Sequence, residues 1–344
     1  MGEAGCLAKL ITTLTGTTPM PGLRVGVFVP QGWRLDLPAD MSPRDQWRAI
    51  VDVALRAEEL GFDHIWVYDH FHTVPKPLPG RSVFEAWTLM AALAPLTKRI
   101  RLGQLVTCAL YRNPAYLAKI SSVVDVISGG RLELGIGACW YEHEFRGYGY
   151  AFPRARERIE MLEETVEVLK RMWTEPVVSF RGRYYRLEGA INDPKPLQKP
   201  HPPILIGGGG ERRTLRVVAK HADKWNYGGS YEEYSRKLEA LRRHCEAVGR
   251  DPRQIVLTWV STAIVGRTEE EARRKFEEYE AARLSGARYE DWKVRGLVGT
   301  PSEALETLDR FRELGVREVY VFIPNVWRRG ELEFFADEVV KHVR

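Results

Sequence analysis

Glu59-Leu60-Gly61-Phe62-Asp63-His64-Ile65-Trp66-Val67 returns near the far end of the chain as Glu313-Leu314-Gly315-Val316-Arg317-Glu318-Val319-Tyr320-Val321. Each copy reads as a helix end, a glycine that stops it and a buried strand. A unit that both opens and closes a pattern is what equivalent βα units produce when they stack round a ring. Outward from these two copies, strand-like runs at 22–30, 63–71, 100–109, 131–139, 203–207, 223–227, 255–265 and 317–324 alternate with helix-like runs. An open doubly wound sheet also alternates, so the count decides. Eight runs predict an α/β fold, a (β/α)8 TIM barrel spanning residues 22–344 as one domain.

The intervening segments 42–60, 84–96, 114–127, 154–173, 212–221, 231–248, 302–314 and 331–343 have helical periodicity. Leu162, Val166, Leu169 and Trp173 recur at three- and four-residue intervals and form one inward face. Asn113 precedes Pro114 as an N-cap, and Ser128-Gly129-Gly130 supplies a left-handed stop. Two stretches break the alternation, as insertions after the fourth and seventh strands. Residues 177–189 read as a hairpin followed by a proline-rich return, and 267–298 as a charged helix and loop that could cover the barrel mouth.

With 344 residues, 44% apolar and 28% charged, the chain has material for one large core. Its net charge of +5 is spread along helices rather than blocked, which argues against nucleic acid as a partner. No run approaches the ~18 apolar residues of a membrane span. Residues 1–21 lack a basic start and long apolar run, and read as a weakly ordered extension rather than a signal peptide. Cys6, Cys108, Cys139 and Cys245 show no paired spacing and read as reduced thiols of a cytoplasmic protein.

In a closed barrel the chemistry sits where strands end, at the C-terminal face. The fifth strand ends in Gly207-Gly208-Gly209-Gly210, followed by Arg212 and Arg213. Successive bare amides ahead of a helix N-terminus suit a phosphate or carboxylate, at an entropic cost that an ordinary turn avoids. Neither the dinucleotide fingerprint nor a Walker lysine is present. Asp69, His70 and His72 end the second strand and raise a metal-hydrolase reading. That reading fails because the fifth, sixth and eighth strand ends offer no further ligand, so no metal is expected. His70 also has a bland reading as a hydrogen-bonded wall residue, and Gly135 and Gly137 as close packing points. No G-x-S-x-G elbow is present. An anion cradle with aromatic strand ends and few acid-base groups suits a bound cofactor that carries the chemistry itself.

Asp69-His70-Phe71, Tyr111-Arg112-Asn113-Pro114, the run from Ser128 through Gly137 and the stretch from Ile206 to Leu215 together resemble the bacterial luciferase-like superfamily, in its branch of F420-dependent oxidoreductases. The resemblance covers residues 23–227. It implies coenzyme F420, with FMN as the alternative, lying across the mouth. Asp69, His70, Leu105, Val106 and Thr107 would then surround the ring, with a non-proline cis peptide within Gln104-Leu105-Val106. Gly137 and Ala138 would flank the ribityl chain, and Gly208, Gly209, Gly210 and Arg212 would take the phosphate. His70 matches a histidine proposed to assist hydride transfer. The loops after strands two, four and seven are expected to set specificity for a small-molecule substrate. An FMN-dependent monooxygenase and a non-catalytic flavin-binding protein are the alternatives, and a homodimer is implied by the family alone. Two departures stand out. Trp140 occupies the place of a glutamate in the sugar-phosphate dehydrogenases of the superfamily, which argues against that substrate. Cys139 replaces a glycine common in near relatives.

Overall fold

The structure is a computed structural model that describes residues 22–283 and 285–344; the expected extension over residues 1–21 lies outside the described residues. The strands in chain order are β1 (Arg24–Phe28), β2 (His64–Val67), β3 (Arg101–Gln104), β4 (Thr107–Cys108), β5 (Leu132–Gly137), β6 (Val178–Arg181), β7 (Arg186–Ala190), β8 (Ile204–Gly207), β9 (Lys224–Gly228), β10 (Val256–Val265), β11 (Leu297–Gly299) and β12 (Val316–Phe322). Hydrogen-bonded neighbours run β1, β2, β3, β5, β8, β9, β10, β12 and back to β1. All of these pairs are parallel, and the ring closes as Gly26 meets Tyr320. Each of the eight expected runs holds one stave of this barrel.

The third stave departs from a plain strand. The peptide between Leu105 and Val106 is cis, and the stave is split there into β3 and β4. Gly103 pairs with Glu133 and Thr107 with Ile136, so the third stave carries one residue more than its neighbour between those pairs. The helices follow their expected signals. Pro114–Ser128 is capped by the Asn113 side chain and stopped by Gly129 at φ 69°. Ala155–Thr174 buries Leu162, Val166, Leu169 and Trp173. Both insertions are present. The first is the antiparallel β6–β7 hairpin. The second contains helices Glu269–Arg283 and Tyr289–Arg295, and it ends in β11, a strand the sequence pattern did not announce, which extends β10 in parallel.

Inside the ring, Trp66 is fully buried, and glycines on both sides make room for it. A Cβ on Gly26 would lie 2.7 Å from its Nε1, and one on Gly103 2.3 Å from its ring. Below it, at the N-terminal ends of the strands, Lys224 bridges Glu133 at 2.6 Å and Glu318 at 2.9 Å, with His64 at 3.2 Å from Glu133. Arg101 and Arg24 close this ionic layer at the rim. The base of the barrel is therefore plugged, and the opposite end stays open.

Candidate functional site

A cavity of about 570 Å³ opens at the C-terminal mouth, bordered by Asp69, His70, Leu105, Val106, Gly137, Ala138 and Gly208 among others. Thr107 is completely buried outside this lining. Of the residues expected around the ring, Thr107 is the one that does not border the cavity. Gly209, Gly210 and Arg212 continue along the turn beyond the cavity wall, and Arg212 is exposed. The 207–210 turn is thus open and on the same rim as Asp69 and His70. Its amides are not all bare, however, because Gly208 N–H donates to the Asn226 carbonyl at 3.0 Å. Gly209 and Gly210 N–H have no acceptor among the described residues. Lys237, which sequence reading passed over, pins the turn by donating to the Gly209 carbonyl at 2.7 Å.

The strand-end motifs lock one another in place. The Arg112 guanidinium forks onto Asp69 at 2.7 and 3.0 Å and reaches Glu85, the N-cap of helix Ala86–Leu93, at 2.6 Å. Cys108 N–H completes the shell of Asp69 at 2.9 Å. Asp69 therefore borders the cavity with both oxygens committed to holding the third stave. The neighbouring Tyr111 hydroxyl donates to Glu144 at 2.8 Å. Glu144 also takes His70 Nδ1 at 2.7 Å and the amides of Phe71 at 2.7 Å and His72 at 3.2 Å. It sits fully buried on the short helix Glu142–Gly147. Burial pushes its carboxyl up, but the His70 ring and the other donors outweigh this and hold it below its ordinary value. A charged carboxylate only accepts, so Nδ1 of His70 donates, and Nε2 is the ring nitrogen left free of Glu144. The ring lies flat on Trp33 at 4.0 Å and is edged by Trp140 and Tyr141. Glu144 escaped the sequence reading because its partners are 33 to 74 residues distant. The one local signal was an acid set among aromatics in Tyr141-Glu142-His143-Glu144-Phe145.

Val106 forms a shelf between two glycines. A Cβ on Gly137 or on Gly207 would lie 2.8 Å from its methyl carbons, and one on Gly135 only 1.9 Å from the Gln104 carbonyl oxygen. The close-packing reading of Gly135 and Gly137 therefore holds, and it is what lets the split stave bulge into the cavity. Arg158, also unanticipated, borders the cavity beside Ala138. Its Nε donates to the Ala138 carbonyl at 3.2 Å and its Nη1 to the Pro153 carbonyl at 2.6 Å. No carboxylate among the described residues bonds to it, and burial draws its pKa down. Shelf, open turn amides and this guanidinium together fit a flat heterocycle with an anionic tail.

The cysteines require a correction. Cys108 and Cys139 form a disulfide with Cα atoms 5.0 Å apart, and Cys245 remains a free, buried thiol. Cys108 pairs in register with Gly137, so the ends of neighbouring staves bring together two residues 31 apart in sequence, a proximity that spacing rules cannot show. Cys139 has φ 60°, a left-handed conformation that accounts for the glycine expected there.

A family model for luciferase-like monooxygenases matches residues 23–318. The chain is 34% identical over 213 residues to an F420-dependent glucose-6-phosphate dehydrogenase of Amycolatopsis mediterranei, a match that spans 60% of each. It is 27% identical over 294 residues to an FMNH(2)-dependent dimethylsulfone monooxygenase of Pseudomonas putida, covering 76% of this chain and 78% of that one. An F420-dependent secondary alcohol dehydrogenase, solved with an F420-acetone adduct, superposes with a TM-score of 0.77 at 20% identity, covering 94% of this chain and 98% of that one. The barrel with its split third stave, the mouth cavity and the family match over most of its length place this chain in the luciferase-like monooxygenase family.

Proposed function

We propose that the chain is an oxidoreductase that uses coenzyme F420 to move a hydride between the deazaflavin C5 position and a small organic substrate. The observation that carries this reading is the convergence on one cavity of the Val106 shelf, the His70 ring and the open turn after β8. F420-dependent relatives that are 34% identical over 213 residues support it. When bound, the deazaflavin supplies or accepts the hydride. The chain's own residues do the rest. Val106, Gly137 and Gly207 seat a flat ring, and the Gly209 and Gly210 amides with Arg158 and the exposed Arg212 take the anionic tail. His70, aimed by Glu144, offers Nε2 to a proton on the reacting oxygen. Trp140, 58% exposed at the rim, presents an apolar surface that suits an uncharged-ring substrate better than a sugar phosphate.

Fluorescence-quenching titrations with each cofactor test the reading. Micromolar or tighter binding of F420 is expected. Comparable FMN binding without any response to F420 would overturn it in favour of the FMN-dependent monooxygenase. Hydride exchange that is absent with every substrate, and cofactor binding that is indifferent to His70→Ala, would leave a binding protein. No described helix is long and apolar enough to cross a membrane. A cytoplasmic location is retained in the proposal on the strength of the cofactor, since the thiol argument falls with the disulfide. The homodimer is proposed to use the exposed Tyr116, Val123 and Ile127 on helix Pro114–Ser128, beside the exposed Leu197 whose amide is held by Asp125 of that helix. A monomer in sedimentation equilibrium would refute it.

A further inference from the structure

We infer that Arg34 is the anchor for an acidic substrate, a single carboxylate on a flat apolar body, seated beside His70. The inference rests on the reading of this mouth as the active site, and deepens it.

The loop after β1 is built to hold two side chains still. Asp36 accepts from Gln31 N–H at 3.1 Å and Gly32 N–H at 2.8 Å, while the Gln31 side chain ties the loop to the Tyr68 and Phe84 backbones at 2.5 to 2.7 Å. Gln31 and Asp36 are both buried. The next residues, Trp33 and Arg34, both border the mouth cavity. Trp33 lies flat on His70, and Arg34 rests its guanidinium on the Phe322 ring at 4.3 Å. The one hydrogen bond of Arg34 among the described residues is from Nη1 to the Tyr68 hydroxyl at 3.4 Å.

No described carboxylate pairs with this guanidinium. Asp36, the nearest acid in its loop, has both oxygens on backbone amides. Burial works against the charge on Arg34, but the Tyr68 hydroxyl and the carboxylate of Asp36 nearby favour it, and a guanidinium keeps its charge in either case. The Tyr279 hydroxyl is buried and has no partner among the described residues. A fixed cation without a paired carboxylate, on the wall of an open cavity, is costly to leave unmatched and is satisfied by an incoming anion. A carboxylate matches the guanidinium fork. Arg34 also opens on a neighbouring cleft of about 520 Å³ with Trp292, Asp291 and Arg295, beneath the second insertion. Arg295 there is paired with Glu233 and Asp291 with Arg288, so neither leaves a free charge, and the single guanidinium of Arg34 suits a monoanion rather than a phosphate.

Benzoate and its neutral counterpart benzamide serve as probes, titrated into the full chain by tryptophan fluorescence and calorimetry, with and without F420. Benzoate is expected to bind about tenfold tighter than benzamide, a preference of about 1.4 kcal/mol. Arg34→Gln should abolish the preference, Arg34→Lys should keep part of it, and F420 affinity should hold in both. Equal affinity for the two probes in the wild type, or an undiminished preference in Arg34→Gln, overturns the proposal. Should Arg34→Gln fail to fold by circular dichroism, an undiminished preference in Arg34→Lys overturns it instead. If F420 does not bind but the benzoate preference persists and disappears with Arg34, the cofactor reading falls and the anion site stands.

Discussion

Glu144 gathers the His70 ring, two consecutive amides and the Tyr111 hydroxyl onto one buried carboxylate. Removing it strands four donors in a water-poor site, so Glu144→Ala should cost about 3–5 kcal/mol in urea unfolding. The pH dependence has a definite sign. Because the folded carboxyl titrates below its ordinary value of 4.5, its contribution is complete above that value. It is lost as pH falls through the lowered folded value. Glu144→Gln should therefore flatten the acid limb of the stability profile relative to wild type; parallel acid limbs would contradict the assignment. His70 depends on this anchor for its orientation. His70→Ala should lower hydride exchange by about 10²- to 10⁴-fold while cofactor affinity changes little. A fall in affinity that matches the fall in rate would make His70 only a wall of the cavity.

The third stave shows how an element can be legible in kind but not in detail. Its apolar run 100–109 reads as one continuous strand, because periodicity reports burial and nothing in Leu105-Val106-Thr107 marks a split. The cis peptide was anticipated only through family resemblance, and the extra residue was not anticipated. The glycines 135, 137 and 207 were visible but ambiguous, since the side chain they accommodate belongs to another strand. Their role predicts a coupling. Gly207→Ala places a methyl 2.8 Å from Val106 and should destabilise, whereas the same change in a Val106→Ala background should be nearly free. A double-mutant cycle should return a coupling of about 1–3 kcal/mol, and additivity would sink the shelf. The disulfide joins the end of the third stave to the end of β5, the strand of Gly135 and Gly137. Replacing Cys108 and Cys139 together by serine should cost about 2–4 kcal/mol in thermal or urea unfolding, with no change if the bridge does not form.

At the scale of the whole barrel, what could be read from the sequence was whatever repeats locally. Eight buried strands, each an apolar run after a helix stop, were countable because parallel staves are covered on both faces. The ionic plug was not, although its members stood in plain view: His64, Glu133, Lys224 and Glu318 looked like polar interruptions in strands, and their compensating partners lie 69 to 94 residues away. Only closure of the ring sets them in one layer. The plug yields a prediction that separates stability from function. Burial pushes Glu133 up, but His64, Lys224 and Arg101 together hold it well below 4.5, so in the wild type it stays charged and favourable down to strong acid. Lys224→Met leaves Glu133 and Glu318 with His64, the Tyr320 hydroxyl and their rim arginines but without the lysine they share, at a cost of about 3–5 kcal/mol near neutral pH. In that variant Glu133 loses one of the cations that hold it down, its folded pKa rises, and protonation relieves the penalty as pH falls. The gap in unfolding free energy between wild type and Lys224→Met should therefore narrow from pH 7.5 to pH 5, while cofactor affinity at the opposite end of the barrel stays within about twofold. A gap independent of pH would mean that Lys224 acts by packing rather than by charge, and a collapse of cofactor binding would mean that base and mouth are not separable as the fold implies.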